Sequence, residues 1–333
     1  MKIVVVAPVY NEAETIPELY KRLAATLDGQ GAEWELILVN DGSSDETWQV
    51  VRDLHAGDQR VKGVSLARNF GQQAALTAGL RHAEERMSSS DDTCVLMDAD
   101  LQDPPEFLPE MIARLAEGYD VVYAVKRSRR ESFLRGTLFN LFHQIQTRLV
   151  NPPMPRGAGT FSALRRAVVR AINSMPERSR YLPGLRAYAG FRQTGMEFDR
   201  PERFAGAPKQ TFGKLLRMGL DAIFAYSFVP ARIASVLGLL TAAVALVFTA
   251  WVLWQKWFTG KAILGWASTM VSHLFLGAVQ LICIGILGEY VARIYEEVRA
   301  RPIYLIAEQV GLGEDQTSRP QAPMVEETPE AQD

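Results

Sequence analysis

"TCVLMDADLQDPPEFLPEMIARLAEGYDVVYAVK", Thr93 to Lys126, is the stretch on which the fold turns. Its opening "TCVLMD" and closing "DVVYAVK" read as apolar strands. Pro105 to Glu117 reads as the helix between them, with proline suited to the first turn. Strand, helix and strand in that order make a parallel crossover unit. Between the first strand and the helix, Asp98, Asp100, Asp103 and Glu106 stand close together. Carboxylates crowded this way repel one another unless something positive sits among them. A divalent cation carrying a diphosphate meets that need.

Upstream, the alternation repeats. "KIVVVAPV" is a strand, followed by a helix over Thr15 to Leu27 entered through Asn11 and Glu12. "WELILVN" precedes a helix over Asp45 to Ala56, and "VKGVSLA" precedes one from Gly71 to about Arg86. Five β-branched strands alternating with helices predict an α/β fold with a mostly parallel, doubly wound, Rossmann-like sheet. Ligands in such sheets bind beyond the carboxyl ends of the strands. No G-x-G-x-x-G follows the first strand, which argues against a dinucleotide-dependent dehydrogenase. Residues 126 to 210 are less regular, with basic and Gly/Pro-rich segments around helices.

Downstream, the composition changes near residue 230. Ile233 to Trp254 carries no charge, and neither does Ala262 to Gly288. Each exceeds the ~20 residues that cross a bilayer core, so two transmembrane helices are expected, at about 233–254 and 263–288. Trp251, Trp254, Trp257, Phe258 and Trp266 cluster around the connector "QKWFTGK" as interfacial aromatics do. Arg232, Arg293, Arg299 and Arg301 flank the pair on one side, and Lys256 and Lys261 lie in the connector. That bias places both termini in the cytoplasm. Phe212 to Phe228 is amphipathic and reads as an interfacial helix within 211–231. The expected organisation is a catalytic domain over 1–210, that interfacial region, the spans within 232–290, a cytoplasmic segment over 291–312 and a disordered tail over 313–333.

Other features exclude whole classes. The 333 residues carry a net charge of −2, so no global basic field argues for nucleic acid. Cys94 and Cys283 match no metal or redox spacing and read as small buried hydrophobes in a reducing compartment. "MKIVVVAPVY" is too short an apolar run for a signal peptide and reads as the first strand.

Asp98 and Asp100, two apart at a strand end, can present side chains to one side. Mg2+ or Mn2+ takes one or two such carboxylates and completes its shell with phosphates and water. In "VNDGSSDE", Asp45 suits a capping role at the following helix. Asp41, closer to the strand end, is placed to accept hydrogen bonds from a base or ribose.

"APVYNEAETIPEL", "VNDGSSDET", "LARNFGQQAALTAGL" and "DADLQDPPE", in that order, resemble the inverting family 2 glycosyltransferases of GT-A fold. The two spans and "LGEYVARIYEEVRARPIYLIAE" narrow the resemblance to polyprenyl-phosphate glycosyltransferases. That group includes dolichol-phosphate mannose synthase and the bacterial GtrB-type and ArnC-type enzymes. It covers residues 3 to about 311. The resemblance implies that Pro8, Tyr10 and Glu12 line a nucleotide pocket, with Asp41 near the base. It also turns Asp98 toward the nucleotide and gives Asp100 the metal on the diphosphate. Gln102 and Asp103 then lie beside the reacting sugar. Arg127 matches a basic position associated with the acceptor phosphate, with Arg130 and Arg135 as further candidates, and Lys209 matches a phosphate-binding lysine. Two segments depart from the pattern. "AGAPKQ" keeps Lys209 but has Pro208 and Gln210 where the family has Ser and Tyr, and "GTFSA", Gly159 to Ala163, lacks the family's Asp and Arg. Both bear on which sugar is used.

The implied activity is transfer of a sugar from a nucleotide donor, UDP favoured over GDP, to undecaprenyl or another polyprenyl phosphate. It implies an envelope role at the bacterial inner membrane and a homo-oligomer, tetrameric by resemblance. A processive polysaccharide synthase is a rival, but its Q-x-x-R-W segment and extra spans are missing. A catalytically silent membrane scaffold is the rival from another class, set against the intact acidic motif. A two-span transporter is a third, weakened because His273 is the sole titratable group of acid or base type in either span.

Overall fold

The computed structural model describes residues 1–126, 158–178, 180–198, 229–259 and 265–313. Among them, eight strands form one sheet in the order β7-β5-β6-β4-β1-β2-β3-β8. The central strands are β1 (Lys2–Val9), β2 (Glu33–Asn40), β3 (Val61–Leu66) and β4 (Thr93–Leu96). β1 pairs in parallel with both β2 and β4, and β2 pairs in parallel with β3. The chain therefore winds outward from β1 through β2 to β3, then returns to the other side of β1 as β4. The direction of winding reverses between β1 and β4, and the carboxyl end of that pair is where an open α/β sheet forms its binding crevice.

These strands are buried on both faces, which explains their near-continuous apolar sequences. Val4 and Val6 pack to one side with Ala75, Leu76, Ala78 and Leu80 of α3 (Gln72–Arg86). Ile3 and Val5 pack to the other with Leu19 and Leu23 of α1 (Ile16–Leu27) and Val51 of α2 (Thr47–Gly57). After the acidic loop, a single 3-10 turn over Pro105–Phe107 leads into α4 (Leu108–Ala116), so the expected helix is present with a tightened start. Cys94 is fully buried in β4, where burial pushes its thiol pKa up, in keeping with an inert apolar role.

Beyond β5 (Val121–Lys126) the sheet is richer than its sequence suggests. β6 (Ala158–Arg165) runs antiparallel between β4 and β5, and β7 (Gln193–Phe198) lies parallel to β5 at the edge. Between them come α5 (Arg166–Ser174) and the short α6 (Leu182–Tyr188). The "GTFSA" segment is thus strand, inserted beside the acidic motif's own strand.

Two long helices follow, α7 (Val229–Thr259) and α8 (Trp266–Val298). They lie against one another, and Cys283 Sγ reaches the Ala234 carbonyl at 3.5 Å. Large apolar side chains point outward along both, among them Leu239, Leu246, Val247, Leu281 and Ile284. Among the described residues, one stretch, Phe275–Val298, is long and apolar enough to cross a membrane, and Ala234–Phe248 is a shorter apolar stretch. α8 continues ten residues past the expected end of the second span. The chain then turns back to the head, where β8 (Ile306–Val310) pairs antiparallel with β3. Within the segment over 291–312, Ile306–Val310 thus completes the head's sheet.

Candidate active site

Four loops gather at the carboxyl edge, each following one of the strands β1 to β4. Asn11, held in the left-handed region at φ 52°, accepts a hydrogen bond from the Ser44 backbone N–H at 2.9 Å. Its own backbone N–H donates to Ser43 Oγ at 3.0 Å, and the Glu12 backbone N–H donates to Thr47 Oγ1 at 2.9 Å. The β1 and β2 loops are thereby locked together. Gly42, at φ 64°, lets the β2 loop approach the next one, since a Cβ there would lie 2.4 Å from the Arg68 carbonyl carbon.

Asp41 ties the β2 loop to the β3 loop. Its Oδ1 accepts the Phe70 N–H at 2.7 Å and its Oδ2 accepts the Gly71 N–H at 2.9 Å. Burial raises its pKa, and those two backbone bonds pull the other way. The sequence reading leaves Asp41 available to a nucleoside; in the structure both oxygens clasp the turn that starts α3. Asp45 accepts the Thr47 N–H at 3.0 Å, a local bond just ahead of α2, whose capping position is taken by Glu46 and not by Asp45 as expected.

The acidic loop divides its carboxylates among distinct partners. Glu106 leaves the cluster for Arg22 of α1, which binds it through two nitrogens at 2.7 and 2.6 Å and holds its pKa below the usual carboxylate range. Asp103, buried, accepts the Asp98 backbone N–H at 2.9 Å and so shapes the loop from within. Asp100, also buried, accepts the Gln102 N–H at 3.1 Å, and Leu101 between them takes a left-handed φ of 61°. Asp98, half-buried, accepts a 2.6 Å bond from Gln72 Nε2. The crowding seen in sequence is relieved by an arginine, backbone amides and a glutamine. Asp98 and Asp100 are left as the pair whose donor chemistry suits a hard divalent cation. Among the described residues no three His, Cys, Asp or Glu side chains gather for a metal.

Pro8 is near the end of β1 and Tyr10 and Glu12 lie in the loop after it, at the same carboxyl edge as the acidic loop that follows the neighbouring β4. Pro8 is buried and Tyr10 is exposed. β4 ends opposite Val6, so proline's missing N–H costs no bond to that neighbour. Gln102 is half-buried beside Asp103. Arg127, Arg130, Arg135 and Lys209 lie outside the described residues. Gln72 was passed over in the sequence; its one signal is its place as the first helical residue after Gly71.

Four loops meeting at this winding reversal, with Asp98 and Asp100 on one of them, suit nucleotide-dependent group transfer. Residues 4–172 match the glycosyl transferase family 2 domain. The chain belongs to glycosyl transferase family 2. In this family 2 glycosyltransferase, residues 229–294 also match the GtrB C-terminal hairpin, which coincides with α7 and α8. An uncharacterized glycosyltransferase of Synechocystis sp. is 39% identical over 309 residues, covering 92% of this chain and 95% of that one. The prophage bactoprenol glucosyl transferase homolog of Escherichia coli is 38% identical over 308 residues, covering 92% and 98%. The bactoprenol glucosyl transferase of Shigella phage SfII is likewise 38% identical, covering 92% and 97%. Among solved structures, glucosyl-3-phosphoglycerate synthase from Mycobacterium tuberculosis superposes with a TM-score of 0.48 at 20% identity, over 67% of this chain and 77% of that one.

Proposed function

We propose that this protein transfers a hexosyl group, with glucose the first candidate, from a UDP-sugar to a polyprenyl phosphate such as undecaprenyl phosphate, with inversion at the anomeric carbon. The observation that carries the reading is the likeness to bactoprenol glucosyl transferases over nearly the whole of both chains, head and hairpin together. An acceptor phosphate oxygen forms the new bond to the anomeric carbon as the bond to the donor diphosphate breaks, and the nucleoside diphosphate departs. The acceptor's second pKa is ~6, so it is mostly a dianion at neutral pH and needs little help from a general base.

Asp98 and Asp100 would hold Mg2+ or Mn2+, which supplies charge neutralisation to the departing diphosphate. Gln72 orients Asp98, and Asp103 keeps the loop in shape. Tyr10 and Glu12 stand where a nucleoside can lie across the reversal. Arg127, with Arg130 and Arg135, and Lys209 are assigned to phosphate. The hairpin of α7 and α8 is read as two membrane spans with both termini cytoplasmic, and residues 211–231 as an interfacial helix. That arrangement brings the head to the headgroup plane of the inner membrane, where a polyprenyl phosphate presents its charge. The head comprises residues 1–210 together with β8, and the tail lies beyond 313. The resemblance also supports a homo-oligomer.

A thermal-shift series on the purified full chain with UDP, GDP and their sugars tests the donor side. Stabilisation by UDP or UDP-glucose that needs Mn2+ or Mg2+ supports the reading. A flat response to every nucleotide and metal combination contradicts it, and favours the silent scaffold.

A further inference from the structure

Arg186 of α6 is 3% exposed, in the core layer that holds Tyr123, Leu182 and Leu185. Its Nη1 donates to the Gly159 carbonyl at 3.2 Å, and its guanidinium lies over the Tyr123 ring at 4.9 Å. Nε and Nη2 are buried without a hydrogen-bond partner. Among the described residues no carboxylate pairs with it. Its electrostatic neighbours are Tyr123 and Tyr181, and burial pulls its pKa down to about 10.

The geometry of the vacant nitrogens is informative. Nε and Nη2 share one edge of the guanidinium plane, the fork that takes both oxygens of a carboxylate or phosphate. Nη1, on the other side, fixes the plane to the backbone, and Tyr123 fixes its face. A buried arginine normally spends that fork on an acid, and leaving it vacant is costly. Position adds to this. β4 and β6 pair antiparallel with Leu96 opposite Ser162. β6 runs antiparallel to β4, so Gly159, near the start of β6, lies toward the carboxyl end of β4, where the acidic loop begins. Arg186 is therefore anchored to the strand segment that borders the acidic motif.

We propose that the Nε–Nη2 fork of Arg186 is a phosphate-binding element of the active site, engaging a non-bridging oxygen pair of a substrate phosphate. The inference rests on the glycosyltransfer reading for the identity of the substrate. Its chemistry is shared by the donor diphosphate and the acceptor phosphate monoester. α6 supplies a cation beside the "GTFSA" segment of β6, which has no charged side chain within those five residues.

The test compares wild type, Arg186→Met and Arg186→Lys as full chains in detergent. Thermal melts are recorded with inorganic phosphate and pyrophosphate, and initial rates with UDP-glucose and undecaprenyl phosphate. Losing a charge-assisted bidentate contact predicts a KM raised about 10- to 100-fold for one substrate. A rise for the lipid phosphate assigns the fork to the acceptor, and a rise for UDP-glucose with loss of pyrophosphate protection assigns it to the donor. Arg186→Met is expected to melt no lower than wild type without ligand, because it removes an unpaired buried charge. Arg186→Lys, which keeps the charge and loses the fork, is expected to show the same KM split in weaker form, and serves if the methionine variant fails to fold. Unchanged KM values and unchanged anion protection in the variants overturn the proposal. Should the wild type transfer no sugar, protection by phosphate that depends on Arg186 still upholds the fork while the transfer reading falls.

Discussion

Gln72 and Asp98, 26 residues apart in sequence, are joined by a 2.6 Å hydrogen bond from Gln72 Nε2 to Asp98 Oδ1. The bond connects the first turn of α3 to the acidic loop after β4. It holds one carboxylate of the proposed metal pair in a single orientation. Gln72→Ala is expected to lower kcat/KM roughly tenfold, through the misplacement of one ligand. Raising Mn2+ should restore part of the loss, while the melting temperature stays near wild type. Gln72→Glu sets a second negative charge against Asp98 and should be worse at low metal and better rescued at high metal. Metal titrations of initial rate check both.

Asp41 is a different kind of acid, one whose partners are two backbone N–H groups. Asp41→Ala orphans both and is expected to cost about 2–3 kcal/mol of stability. Asp41→Asn keeps one acceptor and should fall between. Denaturant unfolding of the variants measures this. If Asp41 served the nucleoside alone, stability would be unmoved and only nucleotide affinity would fall.

The acid sensitivity of the fold has an identifiable contributor at the start of β3. Arg60 hydrogen bonds hold Asp58 down to about 2, and Tyr20 adds a 2.7 Å bond to the same carboxylate. An unfolded aspartate titrates near ~3.9. With the folded pKa lower, the stabilisation is full above ~4 and is lost as pH falls from there toward 2. The pair lies near the surface, where solvent screens it, so its worth is about 1 kcal/mol. Asp58→Asn should flatten that part of the stability–pH curve and leave the curve above pH 5 parallel to wild type.

β8 fastens the end of α8 to the head, and Gly63 makes the room for it. A Cβ on Gly63 would fall 2.6 Å from Val51 Cγ1 and 2.8 Å from Val310 Cγ2, pinched between α2 and β8. Gly63→Val is expected to displace β8 before it disturbs the parallel core. Hydrogen exchange should quicken at Ile306–Val310 by tenfold or more while β1 and β2 stay protected.

The parallel half of the sheet was readable because strands buried on both faces are written as apolar, β-branched runs, as in "KIVVVAPV" and "WELILVN". β6, "AGTFSALR", and β7, "QTGMEF", mix small and polar residues near an edge and carry no such signal. β8 is five residues long and finds β3 some 240 positions away, a pairing with no local mark. The acidic loop was legible as a site, but its division of labour was not. Glu106 meets Arg22 across 84 residues, and Asp103 turns inward to a backbone amide. Arg186 left only the faint trace of one charge among Leu182, Leu185 and Ala187 in a short helix.

The most direct measurement is transfer of labelled glucose from UDP-glucose to undecaprenyl phosphate by the purified full chain, with and without EDTA, for wild type and Asp100→Ala. Radioactivity that moves into the organic phase as a glycosyl phospholipid, is lost with EDTA and drops by at least ~100-fold in Asp100→Ala is the predicted result. Label that stays wholly in the aqueous phase, or transfer by Asp100→Ala at the wild-type rate in EDTA, contradicts it.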